Sequence, residues 1–300
     1  MRCICCLSNR IIPSPLGLDG YYGCLHCGHF FRARDKGADN RENLISHYQN
    51  ADPHEKIADL KQPFFNSALA YLSLQCNKKK KSILDVGCGY GYFLDLAARN
   101  GWDASGVETM NDAAVLAEKR IGKRNICHAT LKEAKYSDNS FDVITLWDVL
   151  FIVENPFEEL KECYRVLKQK GIIGIRVRNV FFQKMVYRVF SPLKKITSGL
   201  GIRNPYVFHP YCFSRKSIYQ LLLRVGFTKI KVSNSPLTKG DPYGYTHMEG
   251  LVKVTKYLID LFCRLGFWIS AGRWVIGPSL LVWAEKPQSS LKMKRARPHD

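Results

Sequence analysis

The chain has 300 residues, 46% of them hydrophobic and 24% charged, and carries a formal net charge of +19. That length suits one large domain, or one ordinary domain with a small appendage, and the apolar content excludes a globally disordered chain. The positive excess points to an anionic partner (nucleic acid, an anionic membrane surface, a phosphorylated acceptor) or to solubility alone, and charge does not choose among them.

The opening MRCICCLSNR is too short and too rich in cysteine for the apolar stretch of a secretory signal. No uninterrupted apolar run reaches the roughly 18 to 20 residues that span a bilayer. The 11 cysteines are therefore expected in a reducing, cytoplasmic compartment, where clustered thiols bind metal more readily than they pair. Cys3 and Cys6 form one C-x2-C pair, and Cys24 and Cys27 form a second after 17 intervening residues. This spacing predicts a zinc ribbon over residues 1–31, with four thiolates around a structural ion. Gly28 suits the second knuckle, and Cys5, His26 and His29 compete for the same ion.

Residues 32–56 read as a polar connector. In 57–75, Leu60, Phe64, Ala68, Tyr71 and Leu72 recur at helical spacing, with Pro63 suited to a first turn. NKKKK (77–81) reads as a solvated turn, with phosphate contact as the alternative. Strands and helices then alternate. SILDV leads to the helix YFLDLAAR, ASGVE to NDAAVLAEKRI, and NICHA and FDVITLW follow as strands. PFEELKECYRVLKQKG reads as a helix stopped at Gly171, and GIIGIRV as the fifth strand. A helix capped by Ser214, then TKIKVS and SLLVWAEKP, complete the pattern. Such alternation predicts an α/β fold, a doubly wound and mostly parallel seven-stranded sheet with one antiparallel edge.

Two stretches exceed a minimal sheet, insertions at 180–213 and 244–277. In 251–277, Leu251, Val254, Leu258, Leu261, Phe262 and Leu265 share one helical face, opposite Lys253, Lys256, Asp260 and Arg264. The plain expectation is packing on its own domain; peripheral contact with the inner face of a membrane is the other. Residues 288–300 read as a basic, disordered tail.

Gly87, Gly89 and Gly91 form G-x-G-x-G between a strand and a helix, and Glu108 ends the next strand. Such a loop lets backbone approach a ligand, and the carboxylate suits a pair of ribose hydroxyls. The dinucleotide fingerprint needs its third glycine one residue later. Asp85 beside the loop would repel a pyrophosphate and attract an α-ammonium group, which favours S-adenosylmethionine.

ILDVGCGYGYFL resembles motif I of the class I S-adenosylmethionine-dependent methyltransferases. SDNSFDVITLWDVL and VLKQKGIIGIRVRN resemble their strand-four and strand-five regions, and the likeness runs over 57–287. With its head, the chain looks like bacterial-type methyltransferases that carry a C-x2-C…C-x2-C-G module. The resemblance implies a Rossmann-like methyltransferase fold in which Asp85 orients the donor's amino group. Gly87, Gly89 and Gly91 would make room for the donor, and Glu108 would hold its ribose. Thr130 stands where many relatives carry an acid near the adenine, and Leu131 and Trp147 would flank the ring. For Trp147, a core aromatic is an equal reading.

Many relatives have Glu-His after strand four, where this chain has Phe151 and Ile152. His209, in FHPYCFS, matches a histidine that relatives carry before a Phe-Ser helix start, and is the first candidate base. Asp148 is the second. A structural histidine and a helix cap are the plain readings of the two. The expected acceptor is a small molecule, glycan or lipid-linked intermediate, methylated on oxygen or nitrogen. RNA (rRNA or tRNA) and a catalytically weak donor-binding scaffold are the alternatives.

Overall fold

The computed structural model describes residues 1–33, 54–76, 81–192, 208–236, 238 and 249–288, with 54–60, 249–256 and 259 as backbone alone. Most of the 32–56 connector, most of the lysine run at 77–81, parts of both insertions and nearly all of the 288–300 tail lie outside the described residues.

Seven strands form the main sheet: β4 (Lys81–Val86), β5 (Trp102–Val107), β6 (Ile126–Cys127), β7 (Phe141–Trp147), β8 (Leu167–Arg178), β10 (Thr228–Asn234) and β11 (Ser279–Glu285). Their order is β10-β11-β8-β7-β4-β5-β6. β4 to β8 are parallel, while β11 runs antiparallel to both β8 and β10. The doubly wound expectation holds, but the reversed strand lies one place in from the edge.

The strands read as apolar runs because both faces are covered. Every residue of β7 is buried. On one face α1 (His54–Gln75), α2 (Tyr92–Arg99) and α3 (Asn111–Ile121) pack through Phe64, Leu72, Phe93, Leu94 and Ala117. On the other, α4 (Pro156–Val166) and α6 (Arg215–Val225) pack through Leu160, Cys163, Leu221 and Leu222. Asn155 caps α4 by accepting from the N–H groups of Phe157 and Glu158, and Ser214 and Ser217 form a reciprocal cap on α6.

Two helix limits differ from the sequence reading. α1 starts at His54, which puts Pro63 inside the helix and not in its first turn. α4 stops at Val166 and β8 begins at once, so Gly171 lies within a strand. Lys286 decides this: its N–H donates to Gly171 O at 3.0 Å, and its carbonyl accepts from Lys170 N–H at 2.8 Å. Those ladder bonds outweigh the helical propensity of LKQK.

α5 (Val180–Phe190) and α7 (Glu249–Ile269) are the insertions' helices. α7 packs on the domain, but through Cys263, Gly266 and Phe267 and not through the described residues of the face expected to turn inward. Leu258, Leu261, Phe262, Leu265 and Trp268 are exposed, while Cys263 is buried and its carbonyl accepts from Asn234 Nδ2. Among the described residues, no helix is long and apolar enough to cross a membrane.

Candidate functional site

The sheet order reverses between β4 and β7, so successive helices leave in opposite directions and a crevice opens at the strands' carboxyl ends. The glycine loop lies on its floor. Gly87, at φ 68°, donates its N–H to Val107 O at 2.8 Å. A Cβ there would stand 2.6 Å from Val149 Cγ2, so no larger residue fits. A Cβ on Gly89 would meet nothing within 4 Å, which leaves open space above the loop. Gly91, expected to face the donor, instead lets α2 approach α3: its Cβ would lie 2.9 Å from Ala117 Cβ.

Glu108 follows β5 and is buried, its Oε2 accepting from Gly89 N–H and its Oε1 from Met110 N–H, both at 2.8 Å. Each oxygen keeps a second lone pair for a hydroxyl donor. Asp85, in β4, is buried and accepts from Thr145 Oγ1 at 2.6 Å. Burial pushes its carboxyl up to about 7, although the Thr145 bond and the Lys61 ammonium pull the other way. A carboxyl so poised gains a proton-independent partner when a cation arrives.

A family model described as a methyltransferase domain matches residues 54–232, more than half of the chain. The chain belongs to the methyltransferase-domain family. Together with the seven-stranded order, this makes it a class I S-adenosylmethionine-dependent methyltransferase. Among curated proteins, it is 31% identical over 121 residues to the ubiquinone biosynthesis O-methyltransferase of Glaesserella parasuis, covering 37% of this chain and 51% of that protein. It is 26% identical over 164 residues to the protein of that name from Coxiella burnetii, covering 47% of this chain and 68% of the relative. The chain thus spans about half of the first relative's length. Among solved structures, the plantazolicin methyltransferase BpumL in complex with SAH matches with a TM-score of 0.52 at 20% identity, over 84% of this chain and 92% of that one.

The methyltransferase crevice holds a charged cluster that the sequence reading missed. Asp148, at φ 63°, accepts through Oδ2 from Arg176 Nη1 and, at 3.0 Å, from Lys61 Nζ. Arg176 also donates from Nε to Ser235 Oγ at 2.9 Å. Burial raises the Asp148 carboxyl, but the charges of Arg176, Lys61 and Arg178 outweigh it and hold the group well below the usual carboxylate range. A carboxylate so held is a poor proton acceptor, which corrects its reading as a candidate base. An arginine inside the apolar run GIIGIRV was the available signal, since a buried guanidinium demands an acid.

Three adenine-side expectations fare unevenly. Trp147 is a core residue, edge-on to Phe64 at 5.1 Å and Phe93 at 5.4 Å. Leu131 is buried in the core on the α4 face of the sheet. Thr130 directs both its N–H and its Oγ1 to Glu133 Oε2, at 3.0 and 2.8 Å, closing a local turn. His209 lies half-buried with its ring 4.2 Å from that of Phe151, so the histidine and the replaced Glu-His position meet.

The cysteine head is built as the spacing predicts. The sulfurs of Cys3, Cys6, Cys24 and Cys27 lie within 4.8 Å of one another, with Cys3–Cys27 at 3.5 Å and Cys6–Cys24 at 3.6 Å. Tetrahedral zinc with bonds of about 2.3 Å sets its sulfurs about 3.8 Å apart, so the quartet fits that ion. Cys5 and His29 stand outside the quartet. Burial, then the Cys3 sulfur, push the Cys5 thiol well up, and burial lowers His29 to about 4 between the rings of Phe31, Tyr211 and Phe213. The head is not a separate body. Its strands β1 (Ile11–Pro13), β2 (Tyr21–Cys24) and β3 (Phe30–Arg32) form a sheet with β9 (Tyr211–Cys212) of the main domain.

Proposed function

We propose that this methyltransferase transfers a methyl group to an oxygen or nitrogen of a small-molecule acceptor, with a lipid-linked or glycan-linked acceptor as the finer reading. The observation that carries the proposal is the pairing of Asp85 and Glu108 across a glycine loop with open space above it. S-adenosylmethionine supplies a methyl already activated as a sulfonium, so the chain's main work is alignment. In this reading Asp85 takes the donor's ammonium, Glu108 its ribose hydroxyls, and the backbone at Gly87 and Gly89 lies against its methionine part. Phe151 and His209 border the acceptor, with His209 as the proton acceptor. Relatives named as ubiquinone biosynthesis O-methyltransferases favour a small, oxygen-directed acceptor.

The outward apolar face of α7 favours an acceptor met at a lipid surface. Leu258, Phe262, Leu265 and Trp268 are exposed on a chain of net charge +19, which suits peripheral contact with anionic lipid from the cytoplasmic side. The cysteine quartet is proposed to hold a structural zinc ion, because all four of its ligands come from the chain and no position is left for substrate.

The deciding experiment supplies methyl-labelled donor and fractionated cell extract. Label in the small-molecule or lipid fraction, lost in Asp85→Asn, supports the proposal. Label in RNA would overturn the acceptor class, and donor binding without transfer to any fraction would leave a scaffold.

A further inference from the structure

β9 is two residues long, and its ladder partner is β3, the last strand of the cysteine head. We propose that metal bound by the cysteine quartet keeps residues 208–212 folded, and through them positions Phe151 and His209 beside the crevice. The inference rests on reading the quartet as a zinc site.

The links are short and continuous. Phe30 pairs with Cys212 and Phe31 with Tyr211. Arg32 N–H donates to Pro210 O at 2.9 Å, and Tyr21 Oη donates to Phe208 O at 2.8 Å. Ser214 Oγ donates to the carbonyl of Cys27, itself one of the quartet, at 2.6 Å. From the other side, Tyr211 N–H donates to Phe151 O at 3.2 Å, and the Phe151 ring lies against His209. Two residues before Phe151, Val149 fills the space that a Gly87 Cβ would need. A chain of contacts therefore runs from the cysteines to the edge of the glycine loop.

Size makes metal the deciding element. β1, β2 and β3 have three, four and three residues, and among the described residues the cluster beneath β3 has three buried members, Phe30, Val180 and Cys212. The head's buried residues in the main core are the cysteines themselves, Cys3, Cys5, Cys24 and Cys27, flanked by Ile4 and Ile11. So small a sheet is marginal in water, and cross-linking four thiolates through one ion supplies the missing stability. Among the described residues, the glycine loop touches this chain of contacts only at Val149, and its own hydrogen bonds lie elsewhere. It is tied by Gly87, Cys88 and Gly89 to Val107 and Glu108 within the parallel sheet. Phe213 is held independently, since its carbonyl accepts from Val180 N–H at 2.9 Å. Metal removal should therefore loosen 208–212, spare 213 onward, and spare the donor site.

The test uses the full chain, with metal analysis, hydrogen exchange and calorimetry with S-adenosylhomocysteine before and after a strong zinc chelator. We expect about one zinc per chain. On chelation, exchange at 28–32 and 208–212 should rise together by about tenfold or more, while affinity for S-adenosylhomocysteine changes by less than about threefold. Zinc loss with unchanged protection at 208–212 overturns the inference, as does an affinity that collapses in step. A chain that binds no zinc overturns the metal reading and the inference with it, and metal analysis tells this case apart. Tyr21→Phe, which keeps all four cysteines, should retain zinc yet raise exchange at 208–210; unchanged exchange there counts against the link.

Discussion

Arg176 and Asp148 meet as an ion pair at the mouth of the sheet, Nη1 to Oδ2, with side-chain exposures of 1% and 9%. Lys61 of α1 reaches the same oxygen. The pair joins β8 to the turn after β7, and α1 to both. Arg176→Met leaves a buried carboxylate with Lys61 as its one hydrogen-bonded cation among the described residues and Arg178 acting from farther off, so we expect a loss of about 3 kcal/mol in urea unfolding. A loss below about 1 kcal/mol would show the carboxylate to be content without its guanidinium.

The same pair fixes a pH response. The folded pKa of Asp148 lies below its unfolded value, so its contribution to stability is complete above the unfolded value, near 4, and is lost as pH falls through the folded pKa. Asp148→Asn should therefore flatten the acid limb of the stability curve. It should leave the pH profile of methyl transfer near neutrality unchanged, since the group does not titrate there. A missing neutral limb in the variant would restore Asp148 as a base.

Asp85 behaves in the opposite sense. Burial raises its carboxyl from 3.8 to about 7, so the folded chain holds a proton that the unfolded chain releases, and stability falls as pH rises through that window. Asp85→Asn should stabilise the donor-free protein at pH 8 by on the order of 2–4 kcal/mol and do nothing near pH 3. In the proposed reading the donor's ammonium pairs with the ionised carboxylate. Affinity for S-adenosylmethionine should therefore rise about tenfold between pH 6 and pH 8, and Asp85→Asn should abolish that rise. Calorimetry at the two values decides it.

Gly87→Ala combines a positive φ with a methyl 2.6 Å from Val149 Cγ2. Gly89→Ala carries the strained φ alone, with no atom of the chain within 4 Å of its Cβ. The first should lose stability by about 2 kcal/mol or more and the second by about 1 kcal/mol, while both weaken donor binding. Equal unfolding midpoints would show that Val149 yields to the added methyl.

Trp268, exposed by 80% on α7, gives the membrane reading a direct probe. The full chain should float with vesicles containing phosphatidylglycerol and remain in solution with neutral ones, and Trp268→Glu with Phe262→Glu should cut flotation about tenfold. Flotation unaffected by these changes would assign the binding to another surface.

The glycine loop, Asp85, Glu108 and the cysteine quartet could be picked out in the sequence because each sits in a recognisable motif. A strand end, a turn or a knuckle marks each group in the sequence, and the spacing between marks, 17 residues between the two cysteine pairs for example, carries the chemistry. The alternation of apolar runs likewise determined the parallel sheet. Tertiary structure alone decided the partners that come from far along the chain. Asp148 looked like a base until Arg176, 28 residues away, and Lys61, 87 residues away, were folded against it. For Trp147, ligand wall and core aromatic were equal readings until Phe64 and Phe93 packed edge-on against it. α7 looked inward-facing because periodicity gives the width of an apolar face but not the direction in which it points. That direction depends on which neighbours the rest of the chain has already supplied.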